Sequence, residues 1–135
     1  MSNVELSVIR KKISDLMLIR SEVTNKVLHT REFIAAQVYE RGTKCGKPNC
    51  KCSKGELHGP FLWIYQKKKN RKVVSTTVAS CKAAEARELA GRYEALLKQR
   101  QRIREADQKI NELLNEFESL LEKGIDEYAT RKSKA

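Results

Sequence analysis

Residues 41–60, RGTKCGKPNCKCSKGELHGP, decide how the rest of this chain is organised. The stretch contains three of the four cysteines, one of the two histidines, both prolines and four of the six glycines. Glycine and proline favour turns, whereas the sequence on either side has the patterns of helices and strands. We therefore expect residues 41–60, called the knuckle below, to form a compact loop held by something other than a hydrophobic core.

Four side chains of metal-binding type lie within fourteen residues of the knuckle: Cys45, Cys50, Cys52 and His58. Their spacing is C-x4-C-x-C-x5-H. Zn²⁺ prefers four thiolate or imidazole ligands in a tetrahedron, and three thiolates with one imidazole form an accepted structural set. The pattern therefore predicts one structural Zn²⁺ bound by these four residues.

The residues of the knuckle leave other interpretations open. Cys81 could replace His58 or one of the cysteines, because a single residue between Cys50 and Cys52 is closer than the usual two-residue hook. The loop could also be metal-free, with its thiols packed as small apolar groups, or the thiols could be redox-active. Glu56 is the one nearby candidate for a general base. We therefore expect no catalytic zinc, and a protein that is not an enzyme.

The net charge of +11 is concentrated around the knuckle. Residues 41–72 contain ten Lys or Arg and one acidic residue, whereas the segments on either side are close to neutral. Such a basic patch is typical of proteins that bind nucleic acid, because phosphate contacts dominate that affinity. A solvated charged face without a partner is the alternative interpretation.

Two strands joined by a short basic loop follow the knuckle. Residues 61–65 and 73–78 are rich in aromatic and β-branched side chains, which predicts a β-hairpin, and a further strand over residues 36–41 leads into the knuckle. Alternation along the first hairpin strand places Phe61, Trp63 and Tyr65 on one face. All three aromatic side chains are expected to pack in the core. With a single-stranded target, Trp63 and Tyr65 are alternatively available to stack on bases. The cations that we expect to contact phosphates are Lys44, Lys47, Lys51, Lys54, Lys67, Lys68, Lys69, Arg71 and Lys72.

Long helices are predicted at both ends of the chain. Apolar residues recur at three- and four-residue steps over residues 4–28, with Arg20 as the one polar step, and again over residues 82–123, with Arg100 and Asp107 as polar steps. The predicted fold is α+β: an N-terminal helix, the knuckle with a small antiparallel sheet, and a long C-terminal helix that pairs with the first as a coiled-coil-like hairpin. The corresponding segments are residues 1–32, 33–79 and 80–135, and the last ends in a frayed tail from Arg131.

The C-terminal helix is the longer of the two, so an antiparallel pair is expected to leave its end uncovered. Apolar residues fall on that end: Leu113, Leu114, Phe117 and Leu121. This predicts a partner there, either a second copy of the chain or a larger complex.

Composition also indicates where the protein works. No apolar run approaches the roughly 20 residues that span a bilayer, and charged residues interrupt the first helix, which argues against a signal peptide. We expect a cytoplasmic protein without membrane contact. Thiols stay reduced in the cytoplasm, so a cysteine cluster there indicates metal binding rather than disulfides.

The motif CGKPNCKC followed by HGP resembles that of an uncharacterised family of small basic prokaryotic proteins with a CGKPxCRC…HGPY-type signature. The similarity covers about residues 38–100, with Lys51 in place of arginine and Phe61 in place of tyrosine. The matching positions are Cys45, Gly46, Lys47, Pro48, Cys50, Cys52, His58, Gly59 and Pro60. The resemblance implies a defined module and an origin in phage or mobile-element genomes, and it implies no established activity.

Together these features predict a small non-enzymatic protein with a zinc knuckle that binds nucleic acid, with DNA favoured over RNA. It would dimerise or dock on a larger complex. The alternative is an interaction or inhibitor protein whose helices and basic knuckle bind an acidic surface of another protein. An enzyme with a reactive thiol is the third hypothesis.

Overall fold

A computed structural model describes residues 3–68 and 70–130 of the chain. It has the predicted α+β architecture: helix α1 over Asn3–Leu28, strands β1, β2 and β3 over Gln37–Thr43, His58–Lys67 and Val73–Thr77, and helix α2 over Ala83–Leu121. Short 3₁₀ helices occupy Lys51–Lys54, Ser80–Lys82 and Ile125–Tyr128. The tail from Arg131 that was expected to fray lies outside the described residues.

The chain divides into two compact units. The first comprises Met1–Lys26 and Gln99–Ala135, and the second comprises Val27–Lys98. Helix α2 contributes to both units. The division into three consecutive segments stays a prediction. In the described part of the chain, no helix has an apolar stretch long enough to cross a membrane.

In the first unit, α1 buries the face that its apolar stripe predicted. Leu6, Ile9 and Val23 are buried, and Ala106 is buried on the C-terminal part of α2. Residues three and four apart lie on the same side of a helix, so these side chains form one continuous contact surface. The unit is a helix pair held by a narrow apolar seam, as the repeat predicted.

Two side-chain contacts fix the direction and register of this pair. The guanidinium of Arg20 donates hydrogen bonds to both carboxylate oxygens of Asp107, at 2.5 and 3.4 Å. The guanidinium of Arg10 lies 5.6 Å from the ring centroid of Phe117. Residues nearer the start of α1 thus meet residues nearer the end of α2, so the helices are antiparallel. The hydrogen bond and charge of Asp107 raise the pKa of Arg20.

The second unit contains a three-stranded antiparallel sheet in the order β1-β2-β3. Strand β2 is central, and its residue Trp63 is paired with Tyr39 on β1 and Thr77 on β3. The hairpin predicted over residues 61–65 and 73–78 is present, and the strand predicted over residues 36–41 runs on to Thr43. The pairing register shifts between Arg41 and Thr43, where the chain enters the knuckle.

One face of the sheet is turned towards α2. Glu40 on β1 accepts a hydrogen bond from Arg87 on α2, and its cross-strand neighbour Leu62 is buried. Side chains alternate along a strand, so Tyr39 and Trp63 lie on the opposite face. This opposite face, called the outer face below, carries Tyr39, Arg41, Phe61, Trp63, Tyr65, Ser75 and Thr77.

Candidate metal centre and basic surface

The knuckle links β1 to β2 through tight turns that depend on glycine. Gly55 ends the short helix Lys51–Lys54 with a φ of 110°, in the left-handed region that favours glycine. Gly42 approaches Leu57 so closely that a Cβ at position 42 would lie 2.7 Å from the Leu57 Cβ. Thr43 is paired with His58, so the two ends of the loop meet.

The four predicted ligands converge on one point. Their ligand atoms all lie within 4.8 Å of one another. The Sγ atoms of Cys45 and Cys52 are 3.4 Å apart, and Sγ of Cys50 lies 3.0 Å from Nε2 of His58. A tetrahedral zinc site with a Zn–S distance of about 2.3 Å has ligand–ligand edges of about 3.5–3.8 Å. The cluster therefore needs only small adjustments to bind a metal ion.

The single residue between Cys50 and Cys52 does not separate their thiols. Cys50 is extended, with φ of −86° and ψ of 145°, and the 3₁₀ helix begins at the next residue, so the backbone turns between the two side chains. Ser53 stabilises this turn, because its N–H and its hydroxyl both donate to the Cys50 carbonyl, at 3.0 and 2.6 Å. The turn thus allows Cys50 and Cys52, although only one residue separates them, to approach the same metal ion.

Burial and hydrogen bonding distinguish the thiols. Cys52 is only 1% exposed, whereas Cys45 is exposed. The N–H of Cys45 donates to Sγ of Cys52 at 3.4 Å. This bond, together with the thiols of Cys45 and Cys50 and the nearby His58, lowers the pKa of Cys52 to about 7 although burial opposes the shift. The N–H of Lys47 lowers the pKa of Cys45, but the thiols of Cys52 and Cys50 together with burial raise it. The thiol of Cys52 is therefore more acidic than an ordinary cysteine, and the thiolate is the form that binds metal.

Cys81 is not a member of the cluster. It is exposed in the 3₁₀ helix Ser80–Lys82, and the group that can hold a metal in the described residues consists of the four predicted ligands. All four cysteines are free, and 3.4 Å between the sulfurs of Cys45 and Cys52 far exceeds the disulfide bond length of about 2.05 Å. The structure gives no support to a ligand role for Cys81.

The cations predicted to contact phosphates form two groups at opposite ends of β2. The knuckle group is Lys44, Lys47, Lys51 and Lys54, and the turn group is Lys67, Lys68, Arg71 and Lys72; all are exposed. Lys69 lies outside the described residues. Strand β2 extends for about 30 Å, so the two groups are not one patch. Within residues 3–68 and 70–130, none of these cations forms a salt bridge.

Backbone hydrogen bonds join the described residues on either side of Lys69 in the turn between β2 and β3. The N–H of Lys68 donates to the carbonyl of Lys72 at 2.8 Å, and the N–H of Arg71 donates to the carbonyl of Lys68 at 3.0 Å. Oδ1 of Asn70 accepts from the N–H of Lys72 at 3.3 Å. These bonds bring the backbone of Lys68 next to that of Arg71 and Lys72, three residues whose side chains carry positive charge.

The outer face carries an aromatic cluster between the two cationic groups. The rings of Tyr39 and Trp63 are stacked, with centroids 6.4 Å apart and planes 11° apart. Arg41 lies over Trp63 with its guanidinium 6.0 Å from the ring centroid, and the hydroxyls of Tyr39 and Ser75 are 2.8 Å apart. Sequence reasoning missed Tyr39 and Arg41 as members of this cluster. The pairing of β1 with β2 places them there, and alternation within residues 36–41 was the only local signal.

The end of α2 that was expected to be uncovered is partly covered. Phe117 is half-buried beneath Arg10, because α1 runs along this end of α2. The beginning of α2 lies outside the helix pair and belongs to the second unit. Leu113 is also half-buried, whereas Leu114 and Leu121 are exposed. The expectation of a bare helix end is thus corrected, and a partner at the exposed leucines stays a prediction.

Residues 19–88 match a protein family described as "Domain of unknown function (DUF6788)". The match covers just over half of the chain and includes the knuckle and all three strands. No curated protein and no solved structure matches the chain significantly. The expectation of an uncharacterised family is confirmed.

Proposed function

The chain belongs to the DUF6788 family, and we propose that it is a non-enzymatic nucleic-acid-binding protein whose knuckle is held by one Zn²⁺, with DNA as the favoured partner. The observation that carries the proposal is the arrangement along β2. The four-ligand cluster and one group of exposed cations lie at one end of this strand, and the second group lies at the other.

The packing of the knuckle supports a structural role for zinc. Cys52 is the one buried residue in the range 41–60, so the loop has almost no apolar core of its own. Three thiolates and one imidazole are a donor set that suits Zn²⁺, and metal binding contributes directly to the stability of small domains that lack a core. Four protein ligands complete a tetrahedron and leave no open position for a reacting water, which supports a non-catalytic site.

The electrostatics of the second unit support a polyanionic partner. Eight exposed cations of the knuckle and turn groups have no salt bridge within the described residues. A phosphate backbone supplies negative charge at regular spacing, and each phosphate that a cation neutralises releases bound counterions. Because the groups lie at both ends of β2, the partner must be extended rather than a single small anion.

A fluorescence anisotropy titration of the zinc-loaded chain tests the proposal. Labelled DNA and RNA oligonucleotides are titrated at salt concentrations from 50 to 200 mM. About six phosphate contacts predict a loss of affinity of about 10³-fold across this range. Polyglutamate, which offers negative charge without phosphates or bases, serves as the control competitor. Absence of binding to both DNA and RNA at the lowest salt would overturn the proposal.

The remaining parts of the sequence interpretation stay predictions within this proposal. They are the phage or mobile-element origin, the cytoplasmic location, and dimerisation or docking through the helices. None of them is needed for the arrangement along β2 to bind phosphates.

A further inference from the structure

We infer that the outer face binds a single strand of nucleic acid, whose bases stack on aromatic side chains while its phosphates contact the cations at both ends of β2. This inference rests on the proposed function, because it names the target of the same surface. It goes further in that it assigns the bases to a face of the sheet and favours a single strand over a duplex.

Two aromatic side chains of the outer face are exposed and can stack on bases, whereas Trp63 and Tyr65 are half-buried. Tyr39 is 36% exposed and Phe61 is 43% exposed, and they flank Trp63 along and across the sheet. The sheet uses its other face, with Leu62 and Glu40, towards α2. Stacking on aromatic rings tolerates every base, because every base has a π face. Arg41, which lies over Trp63, adds a cation within the aromatic cluster itself.

The charge distribution fits a strand that runs along β2. The knuckle and turn groups are separated by about 30 Å, the length of a ten-residue strand. At the spacing of about 3.4 Å per nucleotide found in one DNA strand, this length corresponds to at most about nine nucleotides, and fewer when the strand is extended. Small β domains of another type, the OB-folds, bind about 4–16 nucleotides of a single strand each, so a site of this length is of ordinary size.

A duplex fits this face less well. Its bases are stacked inside the helix, so a broad sheet face cannot reach them, and groove recognition requires an element narrow enough to enter. The aromatic residues Tyr39 and Phe61 would then contribute nothing to binding. A single strand, by contrast, can turn its bases onto the rings and leave its phosphates at the rim.

The test uses the intrinsic fluorescence of Trp63, which is the one tryptophan of the chain. The zinc-loaded full chain is titrated with an oligodeoxythymidine strand and, separately, with a duplex of the same length. We expect the single strand to bind more tightly and to quench the Trp63 emission, because bases approach its neighbours Tyr39 and Arg41. The duplex is expected to leave the emission largely unchanged.

Three variants that replace a ring by leucine locate the bases. Phe61→Leu removes an exposed ring from the outer face, and Phe33→Leu removes a ring of similar exposure, 41%, that stacks on Tyr93 of α2 instead. Loss of one stacking contact is expected to weaken single-strand binding about fivefold or more for Phe61→Leu. Phe33→Leu should bind as the parent does, and Tyr39→Leu should weaken binding as Phe61→Leu does. Thermal melts confirm that each variant is folded.

The outcomes separate this inference from the proposed function. Salt-sensitive binding that favours the duplex, without quenching and without an effect of Phe61→Leu or Tyr39→Leu, overturns the single-strand inference and leaves the proposed function standing. Binding of neither form at low salt overturns both. An equal loss of single-strand affinity in Phe33→Leu and Phe61→Leu also counts against the assignment of the bases to the outer face.

Discussion

Four cations of the turn between β2 and β3 can be neutralised without disturbing a buried contact. Lys67, Lys68, Arg71 and Lys72 are exposed and have no salt bridge among the described residues. We therefore choose the quadruple variant with Lys→Gln at the three lysines and Arg71→Asn, because asparagine tolerates the φ of 64° at this position. The backbone hydrogen bonds of the turn and the side chain of Asn70 are retained.

The expected effect follows from counterion release. Each phosphate contact to a single strand contributes about 0.7 to the slope of log affinity against log salt, so four lost contacts lower the slope by about 2.8. Between 50 and 200 mM salt, the loss of affinity should then shrink by a factor of about 50 relative to the parent protein. Anisotropy titrations at several salt concentrations measure both slopes.

A control variant separates local contacts from net charge. Lys11, Lys12, Lys26 and Lys109 are exposed cations of the helix pair, and their substitution by glutamine lowers the net charge by the same amount. This control should keep the parental salt slope. An unchanged slope in the turn variant, or an equal loss of slope in the control, would refute the reasoning that the turn contacts phosphates.

Three further predictions concern the cysteines, the glycine at the start of the knuckle and the helix pair. In the native zinc-loaded protein, iodoacetamide should alkylate Cys81 and no other cysteine, and it should alkylate the cluster thiols after a chelator is added. Mass spectrometry counts the adducts. Immediate modification of all four thiols would contradict the metal site. Gly42→Ala should lower the free energy of unfolding by about 1–3 kcal/mol, because its Cβ would lie 2.7 Å from a neighbouring side-chain carbon. In the control Gly91→Ala, the new Cβ meets open space on α2, so the free energy of unfolding should rise by about 0.5–1 kcal/mol. Denaturant unfolding measures both variants. Equal effects would contradict the close contact between position 42 and Leu57. Asp107→Lys should lower the melting temperature by placing two cations together, and the added change Arg20→Asp should restore part of it; no recovery in the double variant would mean that the ion pair does not set the register.

The features that the sequence predicted correctly are those encoded locally. The apolar repeat that includes Leu6, Ile9 and Val23 predicted α1 and its buried face, since helical periodicity depends only on nearby residues. Aromatic and β-branched runs around a basic turn predicted the β2–β3 hairpin for the same reason. The convergence of the four Cys and His side chains was also a local signal, because Cys45 and His58 are close in sequence and their loop is short; their role as metal ligands stays a prediction.

The features that the sequence did not predict depend on pairing between distant segments. The register of β1 on β2 brings Tyr39 and Arg41 beside Trp63, and nothing within residues 37–43 specifies that register. The alternation within β2 left open which face packs on α2, because both faces are apolar; the buried Leu62 decides it. The position of α1 along α2, which covers Phe117, likewise follows from the match between two helices rather than from either alone.

The most direct test of the central claim is the metal content of the purified chain. Elemental analysis of protein prepared without added metal should find one zinc per chain, and a chelator should remove it together with a fall in melting temperature. The variant Cys52→Ser, which removes the buried thiol of the cluster, should bind zinc substoichiometrically, whereas Cys81→Ser should retain it fully. A protein with no stoichiometric metal, and with the same melting temperature in the presence and absence of chelator, would contradict the account.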